Sequence, residues 1–97
     1  GRKNDVINVG GLKVMPSEIE NVINQVDGVV DASVYGIENI ITGSMVACKI
    51  IKEGKSDSKV LKVKIRKFCQ SKLENYKIPS KFVFEENIKF SKRFKKL

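Results

Sequence analysis

Residues 44–51 read Ser-Met-Val-Ala-Cys-Lys-Ile-Ile, and the alternation of this run produces two apolar faces. The two faces consist of Val46, Cys48 and Ile50 on one side and of Met45, Ala47 and Ile51 on the other. A strand that is apolar on both faces is typical of the centre of a sheet with cover on both sides. We therefore predict that 44–51 is the central strand of the domain.

Two further segments read as strands that could pair with it. In 29–36, Val30, Ala32 and Val34 alternate with polar residues, which indicates a strand with one apolar face. Residues 81–85 form a short apolar run after a proline, which is typical of another strand. The expected sheet has three strands.

Amphipathic helices are predicted between these strands. Pro16 suits a helix entry, Ser17 and Glu20 have the spacing of a capping box, and apolar residues then recur at helical spacing until Gly28. Residues 61–73 also hold helical spacing, although Leu61, Val63 and Ile65 alternate as a strand would. The greater length of the helical pattern favours a second helix.

Residues 6–14 place two short β-branched runs on either side of Gly10-Gly11, a pair that permits a two-residue turn. The segment is predicted to be a separate N-terminal hairpin. The whole chain, residues 1–97, is then a single α+β domain in the order ββ-α-ββ-α-β, with a small three-stranded sheet packed with helices plus the hairpin.

The composition excludes several kinds of site. The chain has no histidine, which excludes Ser-His-Asp triads, Cys-His nucleophiles and HExxH zinc sites. Cys48 and Cys69 are too few for a zinc site and are predicted to be buried, so no metal ligands are assigned. No apolar run approaches the length of a membrane span, and we expect a soluble, cytoplasmic protein.

The formal net charge of +8 is unevenly distributed. Residues 1–48 carry three basic and six acidic side chains, whereas 49–97 carry sixteen basic and five acidic ones. A basic half of this strength attracts phosphate-bearing partners such as a nucleotide, a coenzyme or nucleic acid, or an acidic protein surface.

Three motifs occur together along the chain. The first runs from Gly1-Arg2-Lys3-Asn4-Asp5 through Gly10-Gly11-Leu12-Lys13 to Glu20, the second is Tyr76-Lys77-Ile78-Pro79 followed by Phe82, and the third is 88–95. In this order they resemble the C-terminal domain of the acyl-adenylate-forming enzymes, which include acyl-coenzyme A synthetases, peptide-synthetase adenylation domains and luciferases. Pro16 before Ser-Glu-Ile-Glu resembles the acyl-coenzyme A synthetase branch.

The resemblance implies a mobile lid domain of an AMP-forming acid-thiol ligase that is inactive by itself. ATP with its Mg²⁺ and the acyl group would be bound by a large N-terminal domain, which is absent from this chain and is the expected partner. The second half-reaction would use coenzyme A or a phosphopantetheine carrier. No nucleic acid and no membrane span are expected among the partners.

The resemblance also implies roles for individual residues. Lys95 aligns with the family's catalytic lysine, and Lys92 and Lys96 are alternative donors because Phe94 stands at the family's glycine. The remaining assignments are Asn4 and Asp5 for the hinge, Gly10, Gly11 and Leu12 for the pantetheine channel, and Arg2 and Lys13 for phosphate binding.

Other classes of protein compete with this interpretation. An adenylation domain that acts on a carrier protein would share the same motifs. A nucleic-acid-binding module would use Phe82, Phe84 and Phe90 among the basic side chains to stack bases. A stand-alone interaction module would retain the fold without the chemistry of Lys95.

Overall fold

The computed structural model describes residues 6–41, 43–54 and 56–86. The secondary structure follows the predicted order. The elements are β1 (Ile7–Val9), β2 (Leu12–Val14), α1 (Pro16–Ile23), β3 (Val29–Asn39), β4 (Gly43–Lys52), α2 (Ser58–Lys72), a 3₁₀ turn (Asn75–Lys77) and β5 (Lys81–Glu86).

β4 is the central strand, as its apolar pattern predicts. β3 pairs with it in antiparallel fashion from Val29↔Lys52 to Asn39↔Gly43. β5 pairs with it in parallel, from Ala47↔Lys81 to Lys52↔Glu86. A parallel pair needs a long crossover connection, and α2 lies within this one. The three predicted strands therefore pair as expected, within a sheet that has five strands.

The N-terminal hairpin is joined to this sheet. β1 pairs with β2 and also with β4 at Val9↔Gly43, so the strand order is β2-β1-β4-β3, with β5 beside β4. Gly43 has φ 96° at this point of pairing, a backbone conformation that side-chain-bearing residues rarely adopt. The hairpin is therefore an extension of the sheet and not a separate unit.

Both helices pack on one face of the sheet. Val46, Cys48 and Ile50 of β4 form one core with the buried residues of α1 and α2, which are Ile19, Ile23, Leu61, Ile65 and Cys69. On the opposite face Ala47 is fully buried, whereas Met45 and Ile51 are half-buried. Among the described residues α1 and α2 both cover the first face, so the expected cover of the second face is confirmed only at Ala47.

α1 begins without the predicted capping box. Its N-cap is Met15, which makes no side-chain cap hydrogen bond, and Pro16 occupies the first turn. Oε2 of Glu20 instead accepts a hydrogen bond of 2.8 Å from the backbone N–H of Val34 in β3. Glu20 therefore ties the helix to the sheet and does not cap its own helix.

This contact leads to a prediction about stability. Glu20→Ala should lower the free energy of unfolding by about 1.5–3 kcal/mol, because it leaves a partly buried N–H without its charged acceptor. Ser17→Ala should change stability by less than about 0.5 kcal/mol, since no cap bond is lost. Urea denaturation of both variants measures the difference. A larger loss of stability for Ser17→Ala than for Glu20→Ala would instead support the capping box.

The start of α2 is fixed by Asp57. Its Oδ1 accepts hydrogen bonds from the backbone N–H groups of Lys59, at 2.8 Å, and Val60, at 3.4 Å. An N-cap aspartate of this kind satisfies amides that have no partner within the helix. The helical interpretation of this segment is confirmed, and Val63 is exposed as the helix requires.

Cys48 and Cys69 are fully buried in the core as free thiols. Desolvation raises the pKa of Cys48 to about 12, with an added contribution from Cys69, and raises the pKa of Cys69 to about 11. Both thiols are therefore protonated at neutral pH and lack the thiolate that reacts with electrophiles. They are packing residues, as predicted.

The raised pKa values predict a loss of stability in alkali. The thiol contribution is fully present below the unfolded-chain pKa of about 9.0 and declines as pH rises towards 11 to 12, because the unfolded chain releases these protons first. A Cys48→Ala/Cys69→Ala variant should show a shallower alkaline decline in denaturation experiments. An unchanged slope, or fast iodoacetamide labelling of the folded protein, would contradict this assignment.

Candidate functional site: the glycine hairpin

The turn between β1 and β2 is formed by two glycines in the left-handed region. Gly10 has φ 56° and Gly11 has φ 89°. Two successive positive φ values suit a tight hairpin whose twist matches the flanking strands. The side-chain Oδ1 of Asn8 accepts a hydrogen bond of 2.9 Å from the N–H of Gly11 and so holds the turn closed.

Open space surrounds this turn. A Cβ placed on Gly10 or Gly11 would meet no atom within 4 Å, and the following Leu12 is 49% exposed. Lys13 is also exposed. The hairpin therefore presents bare backbone, one apolar side chain and one cation to its surroundings. The N–H of Gly11 is already used by Asn8, so it is not a free donor for a ligand.

A second turn lies beside the glycine hairpin. The Val9↔Gly43 pairing brings the connection between β3 and β4 next to β1. Ile40 in this connection is fully exposed. Asn8 and Ile40 are not among the site residues that the sequence predicts. An Asn two residues before Gly-Gly and an apolar residue inside a turn are the sequence signals that could have identified them.

A cleft of about 490 Å³ lies at the other end of β1. Its lining combines apolar groups of β1, α1 and β3 with polar groups of β3 and β4: Ile7, Pro16, Val34, Tyr35, Glu38 and Ser44. The cleft also touches Val6, the first described residue, which directly follows the predicted hinge positions.

The second sequence motif, Tyr76-Lys77-Ile78-Pro79 followed by Phe82, makes contacts that stabilise the fold. Nζ of Lys77 lies 3.1 Å from Oε1 of Glu18 and 3.0 Å from Oε1 of Glu74. Hydrogen bonding to Glu74 and Glu18 raises the pKa of Lys77, and the bond from Lys77 lowers the pKa of Glu74. Pro79 is buried, and the N–H of Ser80 donates to the carbonyl oxygen of Val46 at 2.8 Å. The motif joins α1 to the start of β5.

The aromatic residues considered for nucleic-acid stacking are engaged in packing. Phe82 and Phe84 are half-buried against the core, with ring centroids 6.2 Å apart. Nζ of Lys62 lies 5.7 Å from the centroid of the Phe82 ring. This arrangement does not offer a free aromatic platform on β5.

Several predicted site residues lie outside the described residues. They are Arg2, Asn4, Asp5, Phe90, Lys92, Lys95 and Lys96. Within the described ranges, the structure brings Gly10, Gly11, Leu12 and Lys13 together on one hairpin. There, no group of three His, Cys, Asp or Glu side chains is placed to hold a metal ion. Nor does any helix of that part combine the length and apolarity needed to cross a membrane.

Comparison with known proteins identifies relatives for nearly the whole chain. Residues 18–95 match the model of the AMP-binding enzyme C-terminal domain. The chain is 40% identical over 79 residues to a 3,4-dihydroxybenzoate–aryl-carrier-protein ligase of Bacillus anthracis, which covers 81% of this chain and 18% of that protein. It is 34% identical over 87 residues to a 2-succinylbenzoate–CoA ligase of Bacillus mycoides, which covers 90% of this chain and 17% of that protein.

A solved structure shows the same likeness. The Mycobacterium tuberculosis fatty acyl CoA synthetase superposes with a TM-score of 0.75 at 33% identity, covering 84% of this chain and 16% of that one. The chain thus spans less than a fifth of the length of each of these relatives. By sequence and by fold, the chain belongs to the family of AMP-binding enzyme C-terminal domains.

Proposed function

We propose that this chain is the C-terminal mobile domain of an ATP-dependent, AMP-forming acyl-CoA ligase. The observation that carries the proposal is the family match over 18–95, combined with an open glycine hairpin inside the same fold. The ATP, Mg²⁺ and acyl sites are assigned to a large N-terminal domain, which is the principal partner. A reaction that consumes ATP and coenzyme A also fits a cytoplasmic location.

In the first half-reaction, an acyl carboxylate attacks the α-phosphate of ATP and pyrophosphate leaves. Two anionic groups must approach each other, so a cation placed between them lowers the barrier. Lys95 is proposed to supply this cation, because its compact charge sits on a long flexible stem. Lys92 and Lys96 are the alternative donors on the same segment.

In the second half-reaction, the thiol of a pantetheine arm attacks the acyl carbonyl of the adenylate and AMP leaves. The glycine hairpin is proposed to form one wall of the channel for this arm. Gly10 and Gly11 offer the space that a Cβ would fill, and Leu12 offers an apolar surface to the methylene groups. Lys13 and Arg2 are proposed to attract the phosphate groups of the acceptor through their positive charge.

Rotation about a hinge would move the segment with Lys95 out of the active site and bring the glycine hairpin into it. Asn4 and Asp5 are proposed as the hinge, because they lie immediately before β1, at the boundary of an element. Val6 and Ile7, which follow them, line the cleft beside β3 and β4. The first described residues of the domain therefore directly follow the proposed pivot in the sequence.

A carrier protein is the second candidate for the thiol acceptor. The 40%-identical relative from Bacillus anthracis is named as an aryl-carrier-protein ligase, whereas the 34%-identical relative is named as a CoA ligase. Both acceptors present the same pantetheine arm to the hairpin. The two are distinguished by supplying the acyl-adenylate with either coenzyme A or a phosphopantetheinylated carrier.

The experiment that tests the proposal measures both half-reactions in the full-length protein that contains this chain. ATP–pyrophosphate exchange reports adenylation, and thioester formation from supplied acyl-adenylate reports the second step. Deletion of residues 1–97 should abolish thioester formation and strongly reduce exchange. If the deletion leaves both rates unchanged, the domain has no part in the reaction.

A further inference from the structure

Basic residues are concentrated on α2, and the proposed ligase reaction assigns no role to them. The 15-residue helix contains no acidic side chain and six basic ones, which are Lys59, Lys62, Lys64, Arg66, Lys67 and Lys72. Among the described residues, no ion pair involves any of these six side chains. Like charges at this density repel each other unless an anionic surface approaches them.

Two exposed apolar residues lie among these cations. Leu61, Ile65 and Cys69 mark the buried side of the helix. At 3.6 residues per turn, Val60 and Val63 fall on the outward side, and they are 58% and 53% exposed. Lys59 and Arg66 lie on one flank of the two valines, and Lys64 lies on the other.

We propose that this outward face of α2 binds peripherally to bilayers that contain anionic phospholipids. Lysine and arginine side chains meet the lipid phosphates, and their flexible stems allow the valines to reach the interface between headgroups and acyl chains. Each cation near such a surface adds to the attraction, which salt weakens. The face contacts the surface only and does not span the membrane.

The exposed valines favour a lipid surface over nucleic acid. Nucleic acid would be recognised through phosphate contacts together with aromatic stacking or hydrogen bonds to bases. Apart from its cations, the outward side of α2 offers two methyl-rich side chains and one amide, Gln70, and Phe68 is half-buried beneath Lys72. This proposal is independent of the ligase reaction, because it uses none of the residues assigned to that reaction.

The test is co-sedimentation of the chain with vesicles of phosphatidylcholine, with and without phosphatidylglycerol. Native protein should bind only the anionic vesicles, and salt should release it. A Lys59→Gln/Lys64→Gln/Lys67→Gln variant should lose about 100-fold in partition coefficient, at about fivefold per charge. The matched variant Lys49→Gln/Lys81→Gln/Lys89→Gln removes the same charge outside α2 and should lose much less. Equal losses in the two variants would overturn the proposal.

A second variant separates lipid from other polyanions. Val60→Thr/Val63→Thr preserves charge and side-chain shape but should weaken vesicle binding by about tenfold, since two methyl groups leave the interface. Its binding to single-stranded DNA or to heparin should stay unchanged. If the threonine variant binds vesicles like the native chain, α2 is a general polyanion or acidic-protein surface and the lipid proposal fails. Circular dichroism checks that the variants remain folded.

Discussion

Replacement of Lys95 by alanine in the full-length ligase is expected to slow adenylation by about 10²–10³-fold. The magnitude is that of removing one preorganised electrostatic group from a transition state in which charge develops. Thioester formation from supplied acyl-adenylate should stay close to the native rate, because the proposed rotation removes Lys95 from the active site in that step. ATP–pyrophosphate exchange and single-turnover thioester assays measure the two effects.

Lys92→Ala and Lys96→Ala test the two alternative donors beside this prediction, and a large loss in either one without a loss in Lys95→Ala would move the role to that lysine. Each removes the same charge from the same segment, so general electrostatic attraction for ATP is reduced equally. Only the lysine that reaches the reacting groups should give the large loss. If all three variants lose adenylation alike, the tail acts through its overall charge. If Lys95→Ala damages both half-reactions equally, its assignment to the first step is wrong.

Gly11→Val is expected to have the opposite selectivity. The valine side chain would extend into the open space over the turn, where the pantetheine arm is proposed to lie. Obstruction or displacement of a reacting group by about 1 Å is enough to cost about 10²-fold in rate. Thioester formation should therefore fall by about that factor, while ATP–pyrophosphate exchange is retained.

The same substitution also strains the turn. A side chain at φ 89° costs about 1–2 kcal/mol, so the stability of the variant must be measured beside its kinetics. Retained exchange activity is the internal control for folding. Gly54→Val, at a glycine whose Cβ likewise meets no atom within 4 Å, should leave both half-reactions unchanged. Normal thioester formation by Gly11→Val would remove Gly11 from the channel.

The parts of the fold that the sequence predicts correctly are those set by local pattern. The double-sided apolar alternation of 44–51 identifies the central strand, and Gly10-Gly11 identifies the hairpin turn. In both cases the decisive residues are neighbours in the chain. The burial of Cys48 and Cys69 follows from the same apolar periodicity.

The parts that the sequence does not predict depend on distant contacts. The capping-box interpretation fails because Glu20 bonds to Val34, fourteen residues away and on another element. The link between hairpin and sheet depends on Gly43 meeting Val9, which no local pattern encodes. In the second motif, the hydrogen bond from Lys77 to Glu18 joins residues that are 59 positions apart in the chain. The sequence therefore indicates the motif but not its structural role.

The assignment to a larger ligase is tested directly by the mass of the native polypeptide that carries this segment, detected in source cells with an antibody raised against the chain. We expect a product several times larger than 97 residues, because the chain spans less than a fifth of its ligase relatives. Such a product would contain the partner domain that the reaction requires. A product of about 97 residues would contradict the assignment to a larger ligase.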